Sequence, residues 1–284
     1  MPELPEVETI RRGLSDFVVR KKIRKVEVLC EKSFIGPSEL ACAEIVQIRR
    51  RGKCLIFDFS NGVSMMVHLR MTGQLIYRGS KDVFAGGHPS ENFVSELPNK
   101  QTRVVFEMAD GTLYFNDQRK FGFCKIVPTE EVERDKFIAS LAAEPWEIDV
   151  QEFYGRLQRH KNSPIKAVIL DQKVICGLGN IYADEALFDS AIHPKTLAGK
   201  LTLDEAAGLV KSAQKVMESS IDSGGSTMAT YVRADGTRGD YLEKFAQVFR
   251  REGQSCLRCG HEIEKIRVAG RGTHICPHCQ KERA

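Results

Sequence analysis

The chain has 284 residues, a length that fits two domains better than one small core. Hydrophobic residues make up 42% and charged residues 28% of the sequence, as in an ordinary soluble protein, and no run of eighteen apolar residues is present to span a membrane. The net charge of +4 is small, but a dense basic cluster at Arg49, Arg50, Arg51 and Lys53 indicates a polyanionic ligand or, alternatively, a solvated charged face.

The N-terminal segment predicts a helix. Pro5 suits the first turn, and four apolar residues recur at helical spacing on one face: Val7, Ile10, Leu14 and Phe17. The segment has neither the basic region nor the apolar region of a signal peptide, so a cytosolic location is expected.

The first two residues after Met1 are a candidate reactive pair. Removal of Met1 before the small residue Pro2 would expose a secondary amine, and a terminal amine with a pKa near 8 keeps a usable neutral fraction at pH 7. Such an amine can attack an electrophilic carbon and form an iminium, with Glu3 beside it as an acid/base partner. An ordinary exposed terminus is the alternative.

The rest of the first half predicts a β-rich domain. Eight short apolar runs have the length of strands: 23–29, 45–48, 54–59, 63–69, 74–77, 103–108, 113–115 and 123–127. Hairpin signals at Asn61-Gly62 and Asp110-Gly111 separate consecutive runs. About eight antiparallel strands predict a sandwich or a barrel. Residues 79–101, rich in Gly, Pro, Ser and Asn, predict a long mobile loop.

The second half predicts a helical domain. The composition changes near residues 144–146, and helical patterns follow at 151–159, 164–170, 180–190 and 202–220. Residues 222–244 are polar and rich in glycine, which predicts a loop.

One of these helices begins at Gly177-Leu178-Gly179-Asn180. The third glycine of a dinucleotide-binding loop is missing and no βαβ unit surrounds the segment, which excludes that site. Backbone N–H groups at the start of a helix, together with the amide of Asn180, can bind one phosphate. The alternative is an ordinary glycine turn with Asn180 as N-cap.

Four cysteines near the C-terminus have the spacing of a structural zinc site. They form two C-x-x-C pairs, Cys256 with Cys259 and Cys276 with Cys279, separated by sixteen residues. Each pair can place two thiolates on one tight turn, and four sulfurs complete a tetrahedral cage with no open position for water. Disulfide bonds are the alternative. One structural zinc ion is therefore expected, and it would stabilise the basic hairpin between the pairs.

Three motifs resemble the bacterial formamidopyrimidine-DNA glycosylases over the whole chain and in the family's order. They are the start from Pro2 to Thr9, the segment from Gly177 to Glu185, and the four-cysteine finger. The resemblance implies an α+β, multi-domain fold with an N-terminal antiparallel β-sandwich catalytic domain led by a helix (1–145). A helical domain with a helix–two-turn–helix motif (146–245) and a zinc finger (246–284) would follow.

The activity that the resemblance implies is that of a bifunctional DNA glycosylase and apurinic/apyrimidinic lyase of base excision repair. The substrate would be double-stranded DNA that contains 8-oxoguanine, a formamidopyrimidine or an abasic site. The enzyme would act as a monomer in the bacterial cytosol or nucleoid, with one structural zinc and no membrane partner.

The resemblance also implies catalytic roles. Pro2 matches the nucleophile that attacks C1′ of the damaged nucleotide and forms a Schiff base, and Glu3 matches the acid that assists opening of the sugar ring. Lys53 matches a lysine that contacts DNA and helps β-elimination. Arg271 matches the finger arginine associated with δ-elimination and phosphate binding.

Five residues match DNA-binding positions of the family. A glycosylase rotates the damaged nucleotide out of the duplex, and side chains fill the space that it leaves. Met71 matches the wedge, Arg119 the arginine that pairs with the orphaned base, and Phe121 the phenylalanine that stacks beside it. Asn180 and Lys161 match residues that bind the DNA backbone. Burial of Met71 and Phe121 in the core is the alternative.

Three departures from the family pattern concern DNA contacts. Related sequences carry two histidines where this chain has residues 100–103, so that role is lost or passes to Arg103. Phe249 and Arg250 stand where a Tyr-Gly pair is usual, and His88 has no assigned role.

Two alternative functions remain at this point. The endonuclease VIII branch acts on oxidised pyrimidines but typically has glycine at the position of Leu4. A non-catalytic damaged-DNA-binding protein would lack a competent nucleophile, which Pro2 and Glu3 argue against.

Overall fold

The computed structural model describes residues 1–37, 40, 42–80, 82–88, 96–225, 231–232 and 241–282. The chain divides into two compact units, the first made of Met1–Ala139 with Ile221–Asp240 and the second of Ser140–Ser220 with Tyr241–Ala284. The predicted division into three domains at residues 145 and 245 stays a prediction. Within the described residues, no helix has both the length and the apolar character needed to cross a bilayer.

The first unit begins with helix α1 (Leu4–Val18) and continues as a two-layer β-structure. Its strands are β1 (Ile23–Val28), β2 (Phe34–Ile35), β3 (Ile45–Arg51), β4 (Cys54–Phe59), β5 (Val63–His68), β6 (Gly73–Gly79), β7 (Val83–Gly87), β8 (Thr102–Met108), β9 (Gly111–Asp117), β10 (Phe123–Pro128) and β11 (Tyr231–Val232). Short 3₁₀ helices lie at Glu31–Ser33 and Thr129–Arg134, and helix α2 spans Lys136–Ala139.

Two sheets form the layers. The six-stranded sheet has the order β1-β8-β9-β6-β7-β11, and the five-stranded sheet has the order β2-β10-β5-β4-β3. All neighbours are antiparallel except β2, which runs parallel to β10. The predicted β-sandwich with a leading helix is confirmed, and all eight predicted strands are present.

One hydrophobic core joins α1 to both sheets. Val7, Ile10 and Leu14 of α1 are almost fully buried and pack with residues of the two sheets, such as Phe57 and Phe106. Burial of apolar surface at about 25 cal/mol per Å² is the main force that holds such layers together. The helix is therefore fixed on the sandwich, and so is its N-terminal end.

Strand register brings two loops to the same end of the sandwich. The chain crosses between the sheets at residues 69–72, from β5 to β6, and again at 118–122, from β9 to β10. Gly73 is paired with Asp117 in one sheet, and His68 is paired with Phe123 in the other. Because both ends of both loops are paired, the loops lie side by side.

The prediction of a long loop at 79–101 was wrong for its first part. Strand β7 lies within it and pairs with β6. The glycines that suggested a loop permit close packing instead: a Cβ atom on Gly86 would lie 2.7 Å from Cγ1 of Ile10 in α1. Residues 89–95 of this predicted loop lie outside the described residues. The predicted loop at 222–244 likewise contains β11 and a short helix, α7 (Tyr241–Lys244), where it is described.

The second unit contains the predicted helices and a two-stranded hairpin. The helices are α3 (Val150–Arg159), α4 (Ile165–Ile169), α5 (Asn180–Asp189) and α6 (Leu203–Asp222), with a 3₁₀ helix at Ala198–Lys200. The hairpin consists of β12 (Glu264–Val268) and β13 (Arg271–Ile275). A small apolar cluster joins Phe188 of α5 to Val248, Ile263 and the buried cysteines of the finger.

Candidate active site

Pro2 and Glu3 lie immediately before α1. Glu3 is the N-cap residue, and its backbone N–H donates a hydrogen bond of 2.8 Å to Oε2 of Glu6 in the first turn. Pro2 and Glu3 are buried, whereas Met1 is exposed. The helix therefore fixes the position of the candidate nucleophile and of the acid beside it.

Glu8 of α1 is held ionised by three arginines. Its carboxylate accepts hydrogen bonds from Arg11 at 2.8 Å, Arg12 at 2.8 Å and Arg50 at 3.1 Å. Burial raises the pKa of Glu8, but the hydrogen bonds from the guanidinium groups outweigh it and lower that pKa to about 2. The three arginines thus hold one carboxylate. Through its bond to Glu8, Arg50 links β3 to α1.

Lys53 lies in the turn between β3 and β4, where the residue is buried. Gly52 occupies the left-handed region at a φ of 55°, which glycine adopts without steric strain. Arg50, already bonded to Glu8, also donates to the carbonyl oxygen of Gly52 at 3.0 Å. Because one guanidinium contacts both segments, the Lys53 turn is fastened to helix α1, which follows Pro2 and Glu3.

The side chains of the candidate DNA wedge, formed by Met71, Arg119 and Phe121 together, are exposed. Met71 is 40% exposed and Phe121 is 56% exposed, which excludes the alternative that these side chains belong to the core. Arg119 is also exposed, and its guanidinium carbon lies 4.8 Å from the centre of the Phe121 ring. All three side chains come from the two adjacent crossing loops.

Thr72 and Asp117 join these loops. The Thr72 hydroxyl donates to Oδ1 of Asp117, and the backbone N–H of Arg119 donates to Oγ1 of Thr72 at 3.0 Å. The other carboxylate oxygen of Asp117 accepts from the N–H of Gly122 at 2.7 Å. The sequence analysis gave no role to this carboxylate, although it stands two residues before Arg119.

A side-chain hydrogen bond of His68 holds the loop that carries Met71. Its Nδ1 accepts a hydrogen bond of 3.0 Å from the backbone N–H of Arg70, which requires this nitrogen to be unprotonated. Burial, assisted by the charges of Arg70 and Lys53, lowers the pKa of His68 to about 3. The neutral imidazole is therefore the form that holds the loop.

The structure gives Arg103 a supporting position. The side chain is buried, and it donates to the carbonyl oxygens of Asp117 at 2.7 Å and Lys100 at 3.1 Å. Those bonds fix the loop that carries Arg119, and they weigh against a direct contact of Arg103 with DNA. His88 follows β7, and its N–H donates to the carbonyl oxygen of Gly73 at 3.0 Å. Burial and the positive amino terminus lower the pKa of His88.

The four predicted zinc ligands come together in the second unit. Sγ of Cys256 and Sγ of Cys279 are 4.0 Å apart, and Sγ of Cys259 and Sγ of Cys276 are 3.4 Å apart. A tetrahedral zinc site with Zn–S bonds of about 2.3 Å separates its sulfurs by about 3.8 Å. The cage fits one structural zinc ion, as predicted.

The hairpin beside the cage presents Arg271 at a tight turn. Val268 pairs with Arg271, and the two residues between them, Ala269 and Gly270, have φ values of 48° and 78°. Two consecutive positive φ values define a type I′ turn, which joins two twisted strands without splaying them. Arg271 is therefore fixed as the first residue after the turn, with its side chain exposed.

Asn180 is the first residue of α5, and Gly179, not Asn180, is the N-cap residue. The Asn180 side-chain Nδ2 donates to the carbonyl oxygen of Gly272 in the hairpin at 3.1 Å. Its Oδ1 is buried with no hydrogen-bond partner among the described residues. The structure thus brings Asn180 next to the strand of Arg271, while Lys161 lies exposed after α3.

A buried charge network under the hairpin was missed in the sequence. Lys166 of α4 and Asp184 of α5 are both fully buried, and their ion pair measures 2.6 Å. Lys166 also donates to Oγ1 of Thr273 in the hairpin at 2.8 Å, and Asp184 accepts from the N–H of His274 at 3.0 Å. The available signal was the pair of acidic residues, Asp184 and Glu185, in the middle of α5.

Glu185 binds the segment that precedes the finger. It is almost fully buried, and its carboxylate accepts the backbone N–H groups of Gln247 at 2.8 Å, Val248 at 3.0 Å and Phe249 at 2.8 Å. Two adjacent carboxylates of α5 therefore hold different segments: Asp184 binds the hairpin, and Glu185 binds the segment before the first finger cysteine.

A cavity of about 440 Å³ opens between α5 and the hairpin. It is lined by Asn180, Phe249, Arg250, Glu252, Lys265, Gly272 and His274. Arg250 has a φ of 59°, a conformation that normally favours glycine. The cationic side chain of Arg250 in the lining makes this cavity a candidate site for an anion.

Three family models together match most of the chain. Residues 1–124 match the formamidopyrimidine-DNA glycosylase N-terminal domain, residues 141–232 match the formamidopyrimidine-DNA glycosylase H2TH domain, and residues 253–281 match the zinc finger found in FPG and IleRS.

Similar proteins cover the full length. The formamidopyrimidine-DNA glycosylase of Pelotomaculum thermopropionicum is 40% identical over 289 residues, with 99% of each chain covered. That of Ligilactobacillus salivarius is 41% identical over 288 residues, with the same coverage. The structure of Lactococcus lactis Fpg in complex with DNA containing an abasic site has a TM-score of 0.86 and 33% identity, and covers 99% of this chain and 100% of that one. The chain therefore belongs to the formamidopyrimidine-DNA glycosylase family.

Proposed function

We propose that this protein is a DNA glycosylase and apurinic/apyrimidinic lyase of base excision repair, which removes oxidised purines from double-stranded DNA. The full-length similarity to formamidopyrimidine-DNA glycosylases at about 40% identity supports the activity. The observation that carries it on this chain is the fixed position of Pro2 and Glu3 at the head of α1, with the exposed wedge residues in the same unit.

The proposed reaction begins at the amine of Pro2 after removal of Met1. The amine attacks C1′ of the damaged nucleotide and the base leaves; the C1′–O4′ bond then breaks, and the iminium that forms at C1′ links the protein to the opened sugar. Glu3 assists the opening of the sugar ring as an acid. Lys53 then helps β-elimination, and Arg271 helps δ-elimination.

The DNA would be held by two groups of residues. Met71, Arg119 and Phe121 fill the space of the extruded nucleotide, for which their exposure on two joined loops is suited. In the second unit, Asn180 and Lys161 bind the DNA backbone, and the single structural zinc keeps the hairpin of Arg271 in place. Backbone contacts of this kind supply affinity without sequence preference.

The setting of the reaction is also part of the proposal. The relatives are bacterial enzymes, which supports action in the bacterial cytosol or nucleoid. The similar structures are named as complexes of Lactococcus lactis Fpg with lesion-containing DNA. We expect this chain to act on DNA as a monomer.

Trapping of the iminium tests the mechanism. The mature protein is incubated with a duplex that contains 8-oxoguanine, and sodium borohydride is added to reduce the iminium to a stable amine. We expect a one-to-one protein–DNA adduct, lost in Pro2→Gly and in protein that retains Met1. An uncleaved Met1 form with full activity would refute the role of Pro2.

A lesion panel tests the substrate class. One similar structure is named as a complex of Lactococcus lactis Fpg with DNA containing an oxidised pyrimidine. Excision rates on 8-oxoguanine, a formamidopyrimidine and an oxidised pyrimidine should therefore be measured in the same duplex. Faster excision of the pyrimidine would contradict the proposed preference for purines.

A further inference from the structure

Two exposed histidines lie together beside the zinc cage. His261 follows Cys259 by two residues, and His278 lies inside the second C-x-x-C pair. Their imidazole rings are stacked, with centroids 4.1 Å apart and planes inclined by 12°. Neither ring is needed for the four-sulfur site, because the cysteines complete it.

The donor atoms of these histidines approach one sulfur of the cage. A ring nitrogen of His261, a ring nitrogen of His278 and Sγ of Cys259 all lie within 4.8 Å of one another. A tetrahedral zinc site with Zn–N bonds of about 2.0 Å and Zn–S bonds of about 2.3 Å separates its ligands by about 3.3–3.7 Å. Because both imidazoles are exposed, rotation of their side chains can bring the three donor atoms to these separations while the backbone stays in place.

Cys259 is also a sulfur that an incoming ion can reach. It is partly exposed, whereas Cys256 and Cys276 are 3% and 0% exposed. A thiolate bound to one zinc ion keeps further electron pairs and can bridge to a second metal. Imidazole and thiolate donors together favour zinc over magnesium or calcium.

We propose that His261, His278 and the sulfur of Cys259 form a second, exchangeable zinc site, through which zinc enters and leaves the four-cysteine cage. Three protein ligands leave one coordination position for water, so the ion in this site is held less tightly than the ion in the cage. During exchange, each new bond from a cysteine sulfur to the entering zinc replaces a bond to the departing zinc, with no change in oxidation state. This inference is independent of the proposed function.

Native mass spectrometry of the zinc-loaded protein tests the site. Zinc chloride is added in small excess, and the number of bound ions is counted for the wild type and for His261→Ala/His278→Ala. We expect a second zinc ion on the wild type that is absent from the double variant, while the cage zinc remains on both. His160→Ala, which removes an exposed histidine outside the finger, should bind two ions like the wild type.

Isotope exchange tests whether zinc enters and leaves the cage through this second site. The zinc-loaded protein is mixed with an isotopically enriched zinc salt, and replacement of the cage ion is followed by mass. Exchange should accelerate with free zinc in the wild type and be slower by about tenfold in the double variant, because two of the entering ion's three ligands are lost. His261→Gln/His278→Gln provides a second variant in case the alanine form does not fold.

Three results would overturn the inference. They are failure of the wild type to bind a second zinc ion, a second ion that the double variants bind equally well, and cage exchange that is as fast in the double variants as in the wild type.

Discussion

The hydroxyl of Thr72 donates a hydrogen bond to the carboxylate of Asp117, and through this bond the two loops of the candidate wedge form one surface. Asp117 also binds the N–H of Gly122, so the carboxylate spans the whole 118–122 loop. Met71 lies next to Thr72 in one loop, and Arg119 and Phe121 lie in the other. The relative position of the three exposed side chains therefore depends on this pair.

Loss of the Thr72–Asp117 bond should impair base excision more than it impairs cleavage of an abasic site. Thr72→Val keeps the shape of the side chain but removes the hydroxyl that donates to Oδ1 of Asp117, which then keeps only the N–H of Arg119 at 3.2 Å, a loss of about 1–3 kcal/mol. Extrusion of an intact base needs the wedge, whereas an abasic site has no base to unstack. Excision from an 8-oxoguanine duplex and cleavage of a preformed abasic site are measured side by side.

Direct truncation of the wedge side chains gives the comparison for Thr72→Val. Met71→Ala and Phe121→Ala should show the same selective loss as Thr72→Val, because they remove the filling groups directly. Lys53→Ala should instead weaken cleavage of the abasic site. Equal slowing of both reactions by Met71→Ala would contradict the role of the wedge.

Acid should destabilise the first unit through His68. An ordinary histidine has a pKa of about 6.5 in the unfolded chain, while burial lowers the pKa of His68 in the folded state to about 3. The unfolded state therefore binds a proton first, so the stability that the neutral ring provides is complete above pH 6.5 and is lost as the pH falls toward 3. Between pH 7 and pH 5 this histidine should remove about 2 kcal/mol of unfolding free energy.

Urea unfolding at the two pH values measures that loss. His68→Asn keeps an acceptor for the N–H of Arg70 but does not titrate. Between pH 7 and pH 5, the fall in its unfolding free energy should therefore be smaller than that of the wild type by about 2 kcal/mol. His160→Asn, at an exposed position, should behave like the wild type. The same pH dependence in His68→Asn and the wild type would exclude His68 as its source.

Much of the fold could be predicted because its signals are local. Alternating or continuous apolar runs and hairpin dipeptides gave all eight expected strands, and the spacing of Cys256, Cys259, Cys276 and Cys279 gave the zinc cage. Strand β7 was missed because its glycines are typical of a loop. Gly86 permits a close approach to Ile10, which depends on the packing of α1 and cannot be read from the local sequence.

The supporting residues of the candidate site could not be predicted in the same way. Motif matching named the exposed residues Met71, Arg119 and Phe121 but not Asp117, which holds their loops together. Likewise it named Asn180 but gave no role to Asp184, one helical turn later in the same motif. Buried carboxylates act through partners distant in sequence, so only the three-dimensional structure reveals what they bind.

The buried pair of Lys166 and Asp184 should be needed for the finger to keep its position. Asp184→Asn leaves the ammonium of Lys166 buried without its counter-ion, which should destabilise the second unit by about 3–5 kcal/mol and weaken DNA binding. The cysteines are unchanged, so one zinc ion should remain. Unfolding free energy, zinc content and affinity for a lesion duplex are measured together.

Two further variants separate charge from packing. Lys166→Met/Asp184→Leu removes both charges and should be more stable than Asp184→Asn, because no uncompensated charge remains buried. Lys215→Met removes a 70% exposed lysine from its ion pair with Asp189 and should change stability by less than about 1 kcal/mol. A double variant less stable than Asp184→Asn would show that the network does not act through its charges.

Arg250 combines an unfavourable backbone conformation with a favourable place for binding. Its φ is 59°, in the left-handed region where residues other than glycine are strained by about 1–2 kcal/mol. Its side chain lines the cavity shared by Asn180 and Lys265. The Tyr-Gly pair usual in the family would relieve this strain and would remove the positive charge.

Arg250→Gly should therefore make the protein more stable and the DNA complex weaker. Stability should rise by about 1 kcal/mol, because glycine adopts this φ without steric conflict. If the guanidinium contacts a phosphate, the logarithm of the affinity should depend less steeply on the logarithm of the salt concentration, by about one unit of slope.

Arg20→Gly is the matched control, since Arg20 has a φ of 69° and lies just beyond the end of α1 opposite to Pro2. It should gain stability with no change in affinity or slope, measured by urea unfolding and by titration of a lesion duplex at several salt concentrations. An Arg250→Gly protein that binds DNA with unchanged affinity and slope would show that this arginine does not contact the phosphate backbone.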